Sequence, residues 1–392
     1  MTLPQETIEK IHGSIQIDRL LDTATKLIEI PSPTCSAGQV ADCLDKILQH
    51  DGFDVERPEA GWPESPAVVA RYDTGKPGRT LQFNGHLDTV HLPFVPPRVE
   101  NGMLYGSGSS DMKGGFAAAI EAARVLKETD LLTGGSILLT AHDLHERPWG
   151  DGSQVDELIR RGYIGDAVLL PEYFCQAVPT VGRGMAILEI TVTRAGEPMH
   201  EMLGGIEQPN VIVAGADIAR RFADLDQQLS TQTHPLAGRE SIFLGQVHSG
   251  EIFNQSPTQL KLAGTRRWLP GTDAAEVEKC IRDILTSVIA ETKTLVEMEF
   301  LLARDAYEID EQDPFVDAFQ SAHENATGER LPIGAKPFVD DGNTFVQLGG
   351  IPAITHGPNA TGAHTVNEEV PVRELERVAF VYALTALEFC GG

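Results

Sequence analysis

The sequence predicts an α/β protein in which a main domain with a mostly parallel sheet, covered by helices on both faces, is interrupted by a smaller inserted domain. Short apolar runs alternate with helical stretches early in the chain, and the alternation returns near its end. Strands that alternate with helices favour such a sheet. Between these parts, the predicted elements follow the order β-α-β-β-α-β, which is typical of a ferredoxin-like domain.

The main domain begins with two predicted helices. Apolar residues spaced at i, i+3 and i+4 predict an amphipathic helix from Ile17 to Ile28. Pro31 and Pro33 prevent it from continuing. A second amphipathic helix follows and ends near Gly52, a residue type that commonly follows a helix.

The sheet of the main domain is predicted from short apolar runs. Five runs are expected to form buried strands: AVVARY (66–71), TLQFNG (80–85), SILLTA (136–141), AVLLPE (167–172) and PAITHG (352–357). Two helices are expected between them, over 112–128 and 153–162. These elements supply the predicted α/β sheet.

The inserted domain is predicted from six elements. They are strands over 185–194, 241–249, 258–269 and 294–304, and helices over 209–225 and 274–291. We therefore expect a discontinuous main domain, 1–183 and 304–392, around an insertion at 184–303.

Composition excludes several functions. The chain has 31 Lys and Arg against 57 Asp and Glu, a net charge of −26, which disfavours binding to nucleic acid or to anionic membranes. Its N-terminal sequence lacks the features of a secretion signal, and no apolar run is long enough to span a bilayer. Five scattered cysteines without a C-x-x-C pair indicate reduced thiols, so a cytoplasmic location is expected: Cys35, Cys43, Cys175, Cys280 and Cys390.

Five potential metal ligands lie at or after predicted strands, or directly before a helix: His86, Asp111, Glu146, Glu172 and His364. In an open α/β sheet, ligands bind beyond the carboxyl ends of the strands. Two imidazoles and three carboxylates suit Zn²⁺, Co²⁺ or Mn²⁺. Five ligands are too many for one open catalytic zinc site, and they suit two ions that share a carboxylate, about 3.5–4 Å apart.

Five motifs also occur in one order along the chain: HLD (86–88), GSGSSDMKGG (106–115), HE (145–146), PE (171–172) and GAHTVNEEV (362–370). Together they resemble the zinc aminoacylase and carboxypeptidase family of dinuclear metallohydrolases. That family includes acetylornithine deacetylase, succinyl-diaminopimelate desuccinylase and carboxypeptidase G. The resemblance covers nearly the whole chain and implies a metallopeptidase-like catalytic domain with an inserted lid and dimerisation domain.

The resemblance implies a role for each metal ligand. Asp111 would bridge two divalent ions, with zinc expected and cobalt or manganese possible. His86 and Glu172 would complete one site, and Glu146 and His364 the other.

The resemblance also implies residues around the metal ions. Asp88 would orient the first imidazole through its carboxylate. In the lid, His200 would reach a neighbouring subunit's site and polarise the scissile carbonyl, so a homodimer is expected. Asn254 and Arg267 would hold the substrate carboxylate or oxyanion. Arg266 is an adjacent competitor, since only one of two successive strand residues can face a pocket.

One position departs from the family pattern. Where the family has two consecutive acidic residues, this chain has His145 followed by Glu146. The metal ligand is kept, but an imidazole stands in the place of the general base. A histidine can accept a proton near neutral pH. Three outcomes stay open: His145 is the base, Asp143 or another carboxylate replaces it, or the hydrolytic chemistry is altered or lost.

The predicted function is hydrolysis of the amide C–N bond of an N-acyl amino acid or small peptide by a metal-activated bridging water. One alternative is a hydrolase of a carbamoyl, amidine or aryl-amine C–N bond, which the histidine at position 145 makes more credible. Another is a protein that binds metal or a ligand without turnover.

Overall fold

The structure is a computed structural model, and it describes residues 3–391. These residues form the following α-helices: α1 (Gln5–Ser14), α2 (Ile17–Ile28), α3 (Gly38–His50), α4 (Lys113–Thr129), α5 (Ser153–Arg160), α6 (Val211–Leu229), α7 (Ala274–Thr292), α8 (Pro314–Thr327), α9 (Asp341–Gln347) and α10 (Val372–Cys390). None of the helices described in this part of the chain combines the length and apolar character needed to cross a membrane.

The strands fall into several sheets. In chain order they are β1 (Asp54–Glu56), β2 (Val68–Asp73), β3 (Thr80–His86), β4 (Arg98–Glu100), β5 (Met103–Tyr105), β6 (Ser136–His142), β7 (Ala167–Leu170), β8 (Val178–Gly182), β9 (Gly184–Thr193), β10 (Met199–His200), β11 (Thr233–His234), β12 (Gly238–Arg239), β13 (Ser241–Ser249), β14 (Gln255–Ser256), β15 (Gln259–Trp268), β16 (Leu295–Arg304), β17 (Tyr307–Glu308), β18 (Ile333–Ala335), β19 (Ala353–Thr355) and β20 (Glu369–Pro371).

Contacts divide the chain into two units. The first contains the chain up to Thr180 together with Ile309–Lys336 and the segment from Thr344 onward. The second contains Val181–Glu308 and Pro337–Asn343.

The first unit is built on a six-stranded sheet in the order β1-β2-β6-β3-β7-β19. Strand β3 runs parallel to β6 and β7, and β7 runs parallel to β19. Two pairings are antiparallel, that of β1 with β2 and that of β2 with β6. The sheet is therefore mostly parallel, as predicted, and the carboxyl ends of β3, β6, β7 and β19 lie along one edge.

Buried helices cover this sheet. The long helix α4 is buried along almost its whole length because it is rich in alanine, with Phe116 and Ile120 as its larger apolar residues. It packs against α2 and α10. Small side chains allow such close approach between helices. A separate three-stranded sheet, in the order β20-β5-β4, brings the segment after His364 next to the segment before Asp111.

The second unit has the predicted β-α-β-β-α-β order. Its four-stranded antiparallel sheet has the order β13-β15-β9-β16. Along β9 the buried residues alternate with more exposed ones, as a strand with one covered face requires. Leu188 and Ile190 on that face share a core with Phe222 of α6 and Ile281 of α7. The side chains of Asn210 and Asp273 accept backbone N–H groups at the starts of these two helices.

The fold class predicted from the sequence is confirmed. Helix α2 and strand β13 begin and end at the predicted residues, and the other predicted elements differ by a few residues at their ends. The sequence reasoning missed α1, α8, α9 and α10 and the sheet formed by β4, β5 and β20.

Candidate metal centre

The five predicted ligands converge at one edge of the central sheet. His86 ends β3, Glu146 follows β6 by a short loop, and Glu172 lies just beyond β7. Asp111 lies just before α4, and His364 lies in the loop after β19. The parallel arrangement of these strands brings residues that are far apart in sequence to the same place.

Asp111 stands at the centre of this group, which we call the metal-ligand cluster (His86, Asp111, Glu146, Glu172 and His364). Its Oδ1 is 3.1 Å from Nε2 of His86, and its Oδ2 is 3.2 Å from Nε2 of His364. Nε2 of His364 is also 3.2 Å from Oε2 of Glu146, and Nε2 of His86 is 3.8 Å from Oε1 of Glu172. Each oxygen of Asp111 thus faces a different His–Glu pair.

The donor set fits divalent metal ions. Ligand atoms of His86, Asp111 and Glu146 all lie within 4.8 Å of one another, and so do those of His86, His145 and Glu172. Imidazole and carboxylate donors in this number are those of zinc, cobalt and manganese sites. Four members of the cluster are buried, and His364 is exposed. The cluster is thus preformed for cations and has one open side.

The electrostatics of the cluster favour positive charge. Burial opposes a charge on His86, but its hydrogen bond to Asp111 and the attraction of Asp111 and Glu172 raise the pKa of His86 well above the ordinary value. Hydrogen bonds to Asp111 and Glu146 raise the pKa of His364 to about 10. Burial opposes a charge on Asp111 as well, yet hydrogen bonds from His364 and His86 hold the pKa of Asp111 below its usual range. Protons and metal ions therefore compete for the same imidazoles.

Asp88 supports the cluster in a different way from the one expected. Nδ1 of His86 lies 2.9 Å from the backbone carbonyl oxygen of Asp88, whereas the nearest carboxylate oxygen is 3.7 Å away. The Asp88 carboxylate instead accepts the backbone N–H groups of His145 and Glu146, at 3.1 and 2.9 Å. Asp88 thus orients the imidazole through its main chain and holds the His145–Glu146 pair with its side chain.

His145 lies against the cluster. Its ring stacks on that of His86, with centroids 4.1 Å apart and planes 6° from parallel. The ring of His142 is farther away, with its centroid 6.3 Å from that of His145. An imidazole at position 145 is therefore in a position to exchange a proton with a molecule bound at the metal-ligand cluster.

Asp143, the sequence-based alternative to His145, is engaged elsewhere. Its carboxylate is buried and accepts backbone N–H groups of Cys35, Ala37 and Leu144 at 2.7–3.0 Å. Burial, and then the negative charge of Asp88, raise the pKa of Asp143. This carboxylate anchors the loop before α3.

Sequence reasoning missed two buried charges beside Asp111. Glu368 accepts the backbone N–H groups of Gly108, Ser110 and Asp111 at 2.9–3.1 Å. Lys113 is buried and donates to Oγ of Ser32 at 2.7 Å, and burial lowers the pKa of Lys113 to about 8. Lys113 lies in the motif GSGSSDMKGG with Asp111, and Glu368 lies in the motif GAHTVNEEV with His364. The closeness of each residue to a predicted metal ligand in sequence could have indicated a role at the site.

The predicted lid residues lie in the second unit, whereas the metal-ligand cluster lies in the first. Nδ2 of Asn254 is 3.0 Å from Nε2 of His200, so the structure brings these two residues together. Arg266 is buried in an ion pair with Glu240. Nη1 of Arg267 is buried without a hydrogen-bond partner among the described residues, and burial, followed by repulsion from Arg183, lowers the pKa of Arg267.

Comparisons with known proteins agree with this geometry. The model of the Peptidase family M20/M25/M40 matches residues 82–388. A succinyl-diaminopimelate desuccinylase of Methylobacterium sp. (strain 4-46) is 27% identical over an alignment of 384 residues, which covers 92% of this chain and 94% of that protein. Aminopeptidase PepT from Bacillus cereus ATCC 10987 has a similar structure, with a TM-score of 0.80, 18% identity and coverage of 96% of this chain and 100% of that one. The Bacillus subtilis YXEP protein, described as a dinuclear metal binding peptidase, has a TM-score of 0.67, 15% identity and coverage of 97% and 98%.

Proposed function

The chain belongs to Peptidase family M20/M25/M40 and is a metal-dependent hydrolase, and we propose that it cleaves the amide C–N bond of an N-acyl amino acid or a small peptide. The observation that carries this proposal is the metal-ligand cluster, in which each oxygen of Asp111 faces a different His–Glu pair. The desuccinylase relative, whose name describes removal of a succinyl group, supports an acylated amine as substrate.

In this proposal the cluster would hold two divalent ions, with zinc expected and cobalt or manganese as alternatives. His86 and Glu172 would hold one ion, Glu146 and His364 would hold the other, and Asp111 would be the shared ligand. When bound, such ions lower the pKa of water and polarise the carbonyl group of the substrate. The side chain of Asp88 keeps the backbone of residues 145 and 146 in place.

We assign the proton transfer to His145. A ring nitrogen of His145 accepts a proton from the attacking water while the carbon–oxygen bond forms. The same imidazole then donates the proton to the amide nitrogen as the C–N bond breaks. The commitment of the Asp143 carboxylate to three backbone N–H groups favours His145 over Asp143 in this role.

The second unit is proposed to bind the rest of the substrate. Arg267 has an unpaired buried nitrogen and suits a carboxylate, since its guanidinium can bind two oxygens at once. His200 and Asn254 are proposed to polarise the scissile carbonyl or hold the oxyanion. We further propose that residues 184–303 act as a lid and dimerisation domain in a cytoplasmic homodimer. Exposed apolar side chains of this unit support an interface: Met202, Leu203, Ile206 and Phe253.

A second function is favoured by one observation. A histidine occupies the position before Glu146, where the related family has an acidic base. An imidazole lacks the negative charge with which a carboxylate would offset the charge of the ions, so cleavage of a carbamoyl, amidine or aryl-amine C–N bond is the alternative. The remaining alternative is a protein that binds metal ions but has no catalytic turnover.

The test combines metal content with a substrate panel. The purified chain is loaded with Zn²⁺, Co²⁺ or Mn²⁺ and assayed on N-acyl amino acids, dipeptides, ureido compounds and aryl-amines. We expect two bound ions per chain and turnover of the N-acyl amino acids or dipeptides. Turnover of only the other classes would support the alternative chemistry, and two bound ions without any turnover would support a binding protein.

The variant His145→Ala tests the proton acceptor. We expect turnover to fall by about 10²–10⁴-fold, the usual contribution of a general acid–base, while both ions remain bound. His50→Ala, which removes an exposed imidazole from the end of α3, is the control. Loss of an ion together with turnover would assign His145 to metal binding, and unchanged turnover would exclude it as the base.

A further inference from the structure

An aromatic pair lies on the loops that follow Asp88 and Glu146 and has no part in the function proposed above. The rings of His91 and Trp149 are stacked, with centroids 3.9 Å apart and planes 18° from parallel. Although one face of the indole is covered in this way, 53% of Trp149 is exposed. Tryptophan is highly buried on average, so an indole that is more than half exposed is an unusual feature of a folded surface.

Both members of the pair follow metal-site residues closely in sequence. His91 comes three residues after Asp88, and Trp149 comes three residues after Glu146. Three residues of extended chain span at most about 11 Å, so the Cα atoms of His91 and Trp149 lie within that distance of those of Asp88 and Glu146. The loops that carry the two rings therefore begin at Glu146, a member of the cluster, and at Asp88, which contacts His86.

The two loops that carry the rings are held by hydrogen bonds. Nε2 of His91 lies 3.1 Å from the backbone oxygen of Thr34. On the other loop, the N–H of Gly150 donates to the carbonyl oxygen of Glu146 at 2.7 Å, and the N–H of Gly152 donates to that of Leu144 at 2.8 Å. The indole is thus presented in a fixed position before any ligand binds.

The loop that follows His91 carries two exposed apolar side chains. They are Leu92 and Phe94, which are 44% and 40% exposed. The loop of Trp149 also carries Arg147 and Asp151. A planar apolar group can stack on the exposed part of the indole. The indole therefore suits an aromatic ring.

We propose that His91 and Trp149 form a subsite for an aromatic group of the substrate, so that the preferred substrates are amides with an aryl group on the acyl or amine side. This inference rests on the function proposed above, because it defines the substrate class of the same metal site. Stacking on a preformed indole gives such a substrate tighter binding than an aliphatic one, with no covalent step involved.

The test measures binding and does not require turnover. N-benzoylglycine and N-acetylglycine are titrated into the metal-loaded full-length chain by calorimetry, and protection of tryptophan fluorescence from acrylamide is followed in parallel. We expect N-benzoylglycine to bind at least about tenfold more tightly and to protect Trp149, which is more exposed than Trp62 or the fully buried Trp268.

Variants identify the residue responsible. Trp149→Ala is expected to reduce the preference for the benzoyl compound to about threefold or less, and Trp149→Phe to retain most of it. Leu348→Ala, which removes an exposed apolar side chain of the same unit, should leave the preference unchanged. Equal binding of both compounds by the wild-type chain, absence of binding, or an equal loss for both compounds in Trp149→Ala would overturn the subsite. A preserved benzoyl preference in a chain that cleaves no amide would support the subsite and refute the hydrolytic function.

Discussion

The metal-ligand cluster and the His200–Asn254 pair are two polar groups held in opposite ways. Four of the five cluster residues are buried, and buried carboxylates of Asp88 and Glu368 bind the backbone beside them. His200 is exposed and Asn254 is half-buried, and one hydrogen bond joins their side chains. Nδ1 of His200 also accepts the backbone N–H of Met202 at 3.2 Å. His200 and Asn254 belong to a region with short elements, since β10 and β14 contain two residues each.

This difference indicates how each group is used. Buried polar groups with several hydrogen bonds keep one geometry before a ligand arrives, which a metal site requires. The side chains of His200 and Asn254 lie outside the core and have fewer hydrogen bonds, so they can rearrange when a substrate or a second subunit approaches. We therefore expect substitutions in the cluster to change metal content in the absence of substrate. Substitutions in the His200–Asn254 pair should change only the turnover of substrate.

The largest effect is expected at the centre of the cluster. Asp111→Asn removes the charge that faces both imidazoles, so we expect fewer than two bound ions per chain, measured by elemental analysis after dialysis, and turnover below detection. Asp143→Asn is the matched change of a buried carboxylate. It should keep both ions but lower the free energy of unfolding by about 1–3 kcal/mol, because backbone donors lose a charged acceptor. Two tightly bound ions in Asp111→Asn would contradict a shared ligand.

The sequence predicted the residues of the cluster better than the carboxylates that hold the backbone beside it. Residues at the ends of apolar strands could be placed together because parallel strands share one edge, and this is where His86, Glu146 and Glu172 lie. The partners of the Asp88 and Glu368 carboxylates are backbone N–H groups, which leave no signature in side-chain identity. For the same reason the sequence left Asp143 open as a base, although its oxygens anchor a loop.

The fold was likewise predictable where the signal lies within one segment of the sequence. Periodic apolar patterns located α2 and the six longest elements of the second unit, because a segment with one covered face shows that face in its own sequence. The short strands β10, β11, β12, β14 and β17 of this unit were missed. The sheet of β4, β5 and β20 was missed because its strands have three residues each, too short for any periodicity. Which strands pair, and that β2 runs antiparallel to β6, depends on contacts distant in sequence.

A smaller effect is expected from a buried histidine in the unit that carries the cluster. His356 is fully buried against Phe319 and Tyr382, and burial, then the charges of Arg377 and His323, lower its pKa well below the ordinary value. The unfolded chain takes up a proton at about pH 6.5 while the folded chain does not. This contribution to stability is therefore present above pH 6.5 and decreases as the pH falls below it, by about 2 kcal/mol between pH 6.5 and 5.

Denaturant unfolding at pH 8 and pH 5 measures this effect. His356→Phe and His356→Leu should lose about 2 kcal/mol less than the wild-type chain over this range. The variant His50→Ala, at an exposed site, should lose as much as the wild type. If all four chains lose the same free energy, His356 does not couple folding to pH.

The smallest effect on the folded chain is expected at the His200–Asn254 pair. His200→Ala and Asn254→Ala each remove the hydrogen bond between these side chains, and His200→Ala also removes the one accepted from the N–H of Met202. Substitutions at the surface usually change stability by less than about 0.5 kcal/mol. Both variants should bind two ions, and their loss should appear as slower turnover of the substrate found in the panel. A large fall in the free energy of unfolding or in metal content would mean that the pair is held before substrate binds, and the contrast with the metal-ligand cluster would then fail. Normal stability with normal turnover would keep the contrast but remove both residues from catalysis, so measuring stability and turnover together separates how the pair is held from what it does.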